Sequence, residues 1–263
     1  MLLKLDNITK VFGEARVLNN ISLSLDNANL LGLVGENGAG KSTLMNILGG
    51  IFPPSDGNMQ LQGKIYQPTN PQEAIQAGIA FIHQELNLFP NLSIAENLHL
   101  ANFPARKLLL PWIDRKQTQQ HARALLQRVG LQLDPRTLVE DLTPAQKQLL
   151  EIAKALSTNP RLIIFDEPTT SLTRHEVEIL FRLIGELKAD GLAIIFISHN
   201  LEDVLHLADQ IAVLRDGELV AYHKDRTQFR LSTIIQQMVG RDMAQYFPEK
   251  QACFQEETLL QVQ

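Results

Sequence analysis

Cysteine is almost absent from this sequence: Cys253 is the only one in 263 residues, which excludes an internal disulfide and fits a reducing compartment. Long apolar runs are missing too. No stretch approaches the ~18 to 20 residues that span a bilayer, and the opening "MLLKLDNITK" puts Lys4, Asp6 and Lys10 where a secretion signal needs an unbroken apolar segment. Nor is there a basic run. Counts of 24 Lys+Arg against 29 Asp+Glu give a formal charge of −5, without the electrostatic footprint that a nucleic acid requires. These absences predict a cytoplasmic chain with no nucleic-acid partner, held peripherally by another subunit if it works at a membrane. No internal repeat is visible, and the 44% hydrophobic content suits a globular protein with a substantial core.

Glycine, by contrast, is concentrated where a strand or helix could not use it. "LVGENGAGKST" fits the phosphate-loop pattern G-x-x-x-x-G-K-[ST] as Gly35-Glu36-Asn37-Gly38-Ala39-Gly40-Lys41-Ser42, followed by Thr43. Glycine permits backbone angles with φ > 0 and carries no Cβ to block a ligand, so successive N–H groups can turn inward around phosphate oxygens. The apolar run "NLLGLV" upstream reads as a strand. Downstream, Leu44, Ile47 and Leu48 recur at helical spacing before the stop at Gly49-Gly50. Strand, loop and helix thus follow in the order that the pattern needs. The helix N-terminus adds partial positive charge, Lys41 reaches for β- and γ-phosphates, and the Ser42 hydroxyl suits Mg²⁺.

The rest of the chain changes character twice. Alternating segments from Leu2 to about Leu61 read as an antiparallel sheet folded around the first parallel strand, and "GIAFIHQEL" as a further short strand. Residues 92–158 carry helical periodicity and are expected to form an inserted helical subdomain. "RLIIFDEP", a helix from Arg174 to Ala189 and "LAIIFISH" read as a strand–helix–strand unit of a parallel sheet covered on both faces. "QIAVLRDGELVAYH" reads as a hairpin around Arg215-Asp216-Gly217. The fold class expected is α/β, with a mostly parallel core sheet. "RLIIFDEPTT" supplies what a triphosphate cradle lacks: Asp166 at a strand end to hold Mg²⁺ and Glu167 beside it as general base.

Taken together, these motifs resemble the nucleotide-binding subunits of ATP-binding cassette (ABC) transporters over nearly all of residues 1–243. The resemblance implies a P-loop NTPase fold and adds roles to residues whose own chemistry is ambiguous. Gln84 in "FIHQEL" matches the Q-loop glutamine, with a place at Mg²⁺. His199 in "IIFISHN" matches the switch histidine, aligning Glu167 and the attacking water. Ser171-Leu172-Thr173 takes the place of the D-loop, and Phe12 that of an aromatic stacked on adenine. By the same resemblance Leu142-Thr143-Pro144-Ala145-Gln146 is the signature, whose Thr143, Ala145 and Gln146 would face ATP on an opposite cassette. "FIHQELNLFPNLSIAENLHL", "LEDVLHLADQIAVLRDGELV" and "MVGRDM" look like the subfamily that powers bacterial uptake of monosaccharides, whose members usually carry two cassettes in one polypeptide.

Residues 244–263 then look like a linker and the start of a second cassette; "TLLQVQ" echoes the opening "MLLKLDN". The implied ligands are ATP and Mg²⁺. The implied partners are a second cassette (in the same polypeptide or as a homodimer), membrane permease subunits and, indirectly, a periplasmic solute-binding protein. That arrangement would place the chain peripherally on the inner face of the cell membrane. The departures from the family pattern concern the signature, where Pro144 has no N–H and Ala145 stands for glycine, and the D-loop, where Thr173 replaces aspartate. They leave open a second reading, a cassette that binds ATP mainly for regulation or assembly.

Overall fold

Five consecutive buried residues at 30–34, and again at 193–197, decide the architecture, because such a strand must be covered on both of its faces. The structure, a computed structural model, describes residues 1–100, 105–106 and 112–240. The expected linker and second-cassette start at 244–263, with Cys253, lies outside the described residues.

The chain opens with β1 (Leu3–Phe12) and β2 (Ala15–Leu25), then β3 (Leu30–Val34), α1 (Lys41–Leu48), β4 (Asp56–Leu61), β5 (Lys64–Ile65), α2 (Pro71–Ala77) and β6 (Ile79–Ile82). A mainly helical stretch follows: α3 (Ile94–His99), a small hairpin of β7 (Ala105–Arg106) and β8 (Trp112–Ile113), α4 (Arg115–Arg128) and α5 (Pro144–Leu156). The last part alternates β9 (Leu162–Asp166), α6 (Arg174–Ala189), β10 (Ala193–Ile197), α7 (Leu201–Leu207), β11 (Gln210–Arg215), β12 (Glu218–His223) and α8 (Leu231–Val239). Helices α3 to α5 fall within residues 92–158, as the periodicity predicts; the β7–β8 hairpin has no counterpart in the sequence reading.

Two larger sheets carry the molecule. β2-β1-β4-β5 is antiparallel, and β12-β11-β3-β10-β9-β6 is parallel except for the β11–β12 hairpin. The first parallel strand belongs to the parallel sheet, as the sequence reading has it, and the antiparallel sheet packs against its Leu31 and Leu33. This strand, β3, lies between β10 and β11. The reason is burial: a strand with no polar face cannot sit in a half-solvated sheet.

Alternate residues of the parallel strands feed two different cores. Ile163, Phe165, Ile194 and Phe196 pack toward the helices, with Leu180, Leu183 and Ile184 of α6 and Val204 of α7. Leu162, Ile164, Ile195 and Ile197 pack on the other face, with α1 and the antiparallel sheet. Phe165 and Phe196 are both fully buried, and burying such a side chain contributes about 1.5 to 3 kcal/mol. Four neighbouring parallel strands, β3, β10, β9 and β6, end side by side, and the loops that leave their carboxyl ends are where an open α/β sheet places its ligands.

Candidate functional site

The loop after β3 is shaped by close contacts rather than by freedom alone. A Cβ on Gly35 would stand 2.3 Å from the Leu214 carbonyl oxygen of β11, and one on Gly40 would stand 2.6 Å from Leu18 Cδ2 in β2. Gly40, at φ +100°, is also the N-cap of α1 and offers no side-chain cap, so the first N–H groups of the helix are left without intrahelical partners. That is the arrangement that accepts an anion. Lys41 is buried, and its Nζ donates to the carbonyl oxygens of Gly35 at 2.6 Å and Glu36 at 3.0 Å. Burial lowers its pKa, while Glu167 and Asp166 nearby pull it back up.

The loops after β9 and β10 are bonded to each other. Glu167 adopts φ +52°, a backbone conformation that costs a non-glycine residue about 1 to 3 kcal/mol. Its N–H donates to the Ile197 carbonyl at 3.0 Å, and its Oε2 accepts the His199 N–H at 3.0 Å. Oε1 lies 3.3 Å from His199 Nε2, yet it accepts no hydrogen bond although it is buried. Burial raises the Glu167 carboxyl above the ordinary carboxylate range, against the opposing pull of the His199 N–H and imidazole. Asp166 is raised as well, again mainly by burial.

These groups share one cavity of about 310 Å³, lined by Val17, Asn37, Gly38, Gly40, Lys41, Ser42, Thr43, Gln84, Asp166, Glu167, Ile197 and His199. The structure thus gathers the phosphate loop, Gln84 after β6, the acidic pair after β9 and His199 after β10 from four separate chain segments. Val17 and Ile197 are additions that the sequence reading missed. Val17 carries no chemical signal; its strand reaches the loop because the Gly217 N–H bonds the Ala39 carbonyl and the Asn19 N–H bonds the Gly217 carbonyl.

Seven expected residues stand outside the lining of that cavity: Gly35, Glu36 and Ala39 of the loop itself, and Phe12, Thr143, Ala145 and Gln146. Phe12, 45% exposed, meets Phe52 edge-on at 5.1 Å, and the Lys10 ammonium lies 5.0 Å from its ring centroid. Thr143, Ala145 and Gln146 form the start of α5 instead. There Thr143 Oγ accepts the Gln146 N–H at 3.3 Å, and the Gln146 side chain accepts the Thr143 N–H at 3.0 Å, a complete capping box. Thr173 does the same for α6, with Glu176, so the residue that replaces the D-loop aspartate has a local task as a helix cap. Thr143→Ala is expected to lower stability by about 0.5 to 2 kcal/mol, read as a shift in the urea midpoint with the slope unchanged.

A second cavity, of about 340 Å³, opens where α2 and β6 meet α3 and α5. Although larger, it is no catalytic centre: its walls are mostly apolar, with Ile51, Ile75, Phe81 and Leu98, and Glu151 is the carboxylate among them. His83 lines this groove and Gln84 the phosphate cavity, so adjacent residues face the two spaces. The segment after them is tied to the helices. Lys154 Nζ donates to the Asn87 carbonyl at 2.5 Å, and buried Asn97 bonds both the N–H and the carbonyl of Phe89.

The donor set fits a nucleoside triphosphate with Mg²⁺. Magnesium binds through one or two carboxylates plus phosphate oxygens; here Ser42, Gln84 and Asp166 border the same space as Lys41 and the loop amides. Among the described residues no group of three or more His, Cys, Asp or Glu could hold a metal ion without such help. A family model described as "ABC transporter" matches residues 18–170. The chain belongs to the ABC transporter family. It is 43% identical, over 95% of its length, to a putative ribose/galactose/methyl galactoside import ATP-binding protein of Agrobacterium fabrum, and 42% identical, over 93%, to an arabinose import ATP-binding protein of Burkholderia thailandensis.

It covers 49% and 48% of those two proteins, so the chain spans about half the length of these curated relatives. Among solved structures, a nucleotide-free ATP-binding cassette of an ABC transporter aligns with a TM-score of 0.77 at 27% identity, over 92% of this chain and 96% of that one. The ADP conformation of another ABC cassette aligns at 0.78 with 25% identity, over 91% and 99%. The ABC fold read from the motifs is thus borne out. Among the described residues no helix of this ABC chain is long and apolar enough to cross a membrane.

Proposed function

We propose that the chain binds and hydrolyses MgATP as a cassette that energises a bacterial ABC importer, with a sugar as the transported solute. One observation carries the reading: Lys41, Asp166, Glu167 and His199, far apart in sequence, line a single cavity with the amides of a phosphate loop. In this reading the amides from Gly35 to Thr43 and the Lys41 ammonium hold the β- and γ-phosphates, exchanging the carbonyls of Gly35 and Glu36 for phosphate oxygens. Ser42, Asp166 and Gln84 hold Mg²⁺, which when bound offsets phosphate charge. Glu167 takes the proton of the attacking water. Its buried Oε1 accepts no hydrogen bond and so keeps its lone pairs for that proton, while Oε2 is steadied by the His199 N–H. The His199 imidazole, beside Oε1, aligns the water and the γ-phosphate.

The remaining assignments complete the site from outside. Phe12 offers its open face to adenine. Thr143, Ala145 and Gln146 meet the nucleotide of a second cassette, where the Ala145 N–H, the Thr143 hydroxyl and the Gln146 side-chain NH2 are the available donors, since Pro144 has no N–H and the Thr143 and Gln146 backbone amides serve the cap. The relatives are named as import ATP-binding proteins for ribose, galactose or arabinose, which supports a sugar importer. A permease then holds the chain at the inner face of the membrane, and a solute-binding protein acts through that permease. The apolar groove bordered by Ile51 and Ile75, both exposed, is the surface that suits a permease helix.

The test is MgATP hydrolysis and uptake of ribose, galactose or arabinose by the chain assembled with its partner cassette and permease in vesicles. No hydrolysis by the intact assembly would sink the reading. For the groove, Ile75→Glu is expected to weaken copurification with the permease at least about tenfold, the effect of 1.4 kcal/mol. MgATP binding by the chain alone should not change, because Ile75 does not border the phosphate cavity. Undiminished copurification would move the permease to another face.

A further inference from the structure

Three ties join the loop that carries Glu167 to the loop that carries His199. Two of them use Glu167 itself: its N–H to the Ile197 carbonyl and its Oε2 from the His199 N–H. The second of these engages the very carboxylate that must take a proton, so it is a poor permanent fastening. The third tie touches no reacting atom. Asp203, 9% exposed in the first turn of α7, accepts the Thr169 hydroxyl on Oδ2 at 3.1 Å and the Asn200 side-chain amide on Oδ1 at 3.0 Å.

Each partner of Asp203 lies next to one of the chemical groups. Thr169 is two residues beyond Glu167, and the following Thr170 hydroxyl donates to the Glu167 carbonyl at 3.1 Å. Asn200 directly follows His199. Its N–H bonds the Ser198 hydroxyl at 3.0 Å, and its side-chain oxygen accepts the Glu202 N–H at 3.1 Å, capping α7. A buried carboxylate with both oxygens occupied is a costly group to keep unless its bonds are made, and these bonds can be made only when the two loops stand at one separation.

We propose that Asp203 is a positioning residue for hydrolysis: through Thr169 and Asn200 it fixes His199 relative to Glu167, independently of the state of the Glu167 carboxylate. Burial supports this, since a carboxylate shielded from water makes a stiff bracket, and Leu207 and Val204 of the same helix anchor α7 to the core. The proposal rests on the hydrolytic reading of the cavity. It adds that the spacing of the two loops is set from α7, at a residue outside the lining of the phosphate cavity.

The experiment uses the full chain assembled with its partner subunits. Asp203→Leu removes both acceptors, but a buried substitution of this kind can compromise folding. Thr169→Val is therefore the main variant, because it deletes the hydroxyl at constant shape. Thr169→Val is expected to lower single-turnover hydrolysis by between about tenfold and a hundredfold, the range for a sub-ångström to 1 Å misplacement of a catalytic group. MgATP affinity should stay near that of the parent, Tm should fall modestly because Asp203 Oδ2 loses its donor, and Thr169→Ser should recover both rate and Tm. In a His199→Ala background the same substitution should cost little further, because the group it positions is gone.

Two results would overturn the proposal: parental turnover in Thr169→Val, or the same loss in the presence and absence of His199. A Glu167→Gln control keeps the two levels apart. If that control is inactive while Thr169→Val is at the parental rate, the bracket is wrong and the hydrolytic reading stands. If Glu167→Gln hydrolyses normally, the hydrolytic reading is what fails.

Discussion

Glu167→Gln is expected to slow MgATP hydrolysis by roughly a hundredfold to ten-thousandfold, the contribution typical of a general base, while leaving MgATP affinity unchanged. The geometry favours a clean result. Glutamine has the shape of glutamate, and its side-chain oxygen can still accept the His199 N–H that Oε2 accepts at 3.0 Å. What is lost is the basic oxygen, Oε1, which is buried and has no hydrogen-bond donor. Burial is the main reason that this carboxyl titrates above the usual range. The catalytic form is the ionised one, so the rate should fall with falling pH at a value higher than that of an exposed glutamate, and the residual activity of Glu167→Gln should lack that step. Single-turnover hydrolysis across pH, with equilibrium binding of a fluorescent nucleotide, separates the two effects. Undiminished hydrolysis by the variant would remove Glu167 from the chemistry.

Lys41→Ala should act on binding instead. The Lys41 ammonium now bonds two carbonyls of its own loop, those of Gly35 and Glu36, and is buried beside Asp166 and Glu167. A bond to a charged group contributes about 1.5 to 3 kcal/mol, so MgATP affinity is expected to drop by about 10- to 150-fold, at 1.4 kcal/mol per factor of ten. The two glycine contacts that shape the loop, at Gly35 and Gly40, do not involve this side chain, so the fold should survive. Isothermal titration with MgATP and a thermal melt decide the matter. An unchanged dissociation constant in a folded variant would detach the phosphate loop from the nucleotide.

Much of the site was legible because it is written locally. The glycine spacing, Lys41 and Ser42 form one continuous stretch, and the strand before it and helix after it carry their own periodicities. Asp166, Glu167 and His199 each end an apolar run. The capping box Thr143-Gln146 was legible for the same reason, since all its bonds lie within four residues. Other features were not. That β3 pairs with β10 and β11 is not written in its own residues, because sheet membership depends on which distant strands are free to pair. Val17 entered the cavity through hydrogen bonds that link Ala39, Gly217 and Asn19, positions far apart in the chain.

The sequence by itself determined the phosphate loop, the acidic pair, the type of most elements and the family, since each depends on residue chemistry at short range. Only the tertiary structure decided that β3, β10, β9 and β6 end as neighbours, bringing Lys41, His199, Glu167 and Gln84 to one cavity. It alone also placed Asp203 between the loops that carry Glu167 and His199. Parallel strands pair through connections that the chain must close over long distances, and buried surface on both faces of the sheet, rather than any motif, fixes their order.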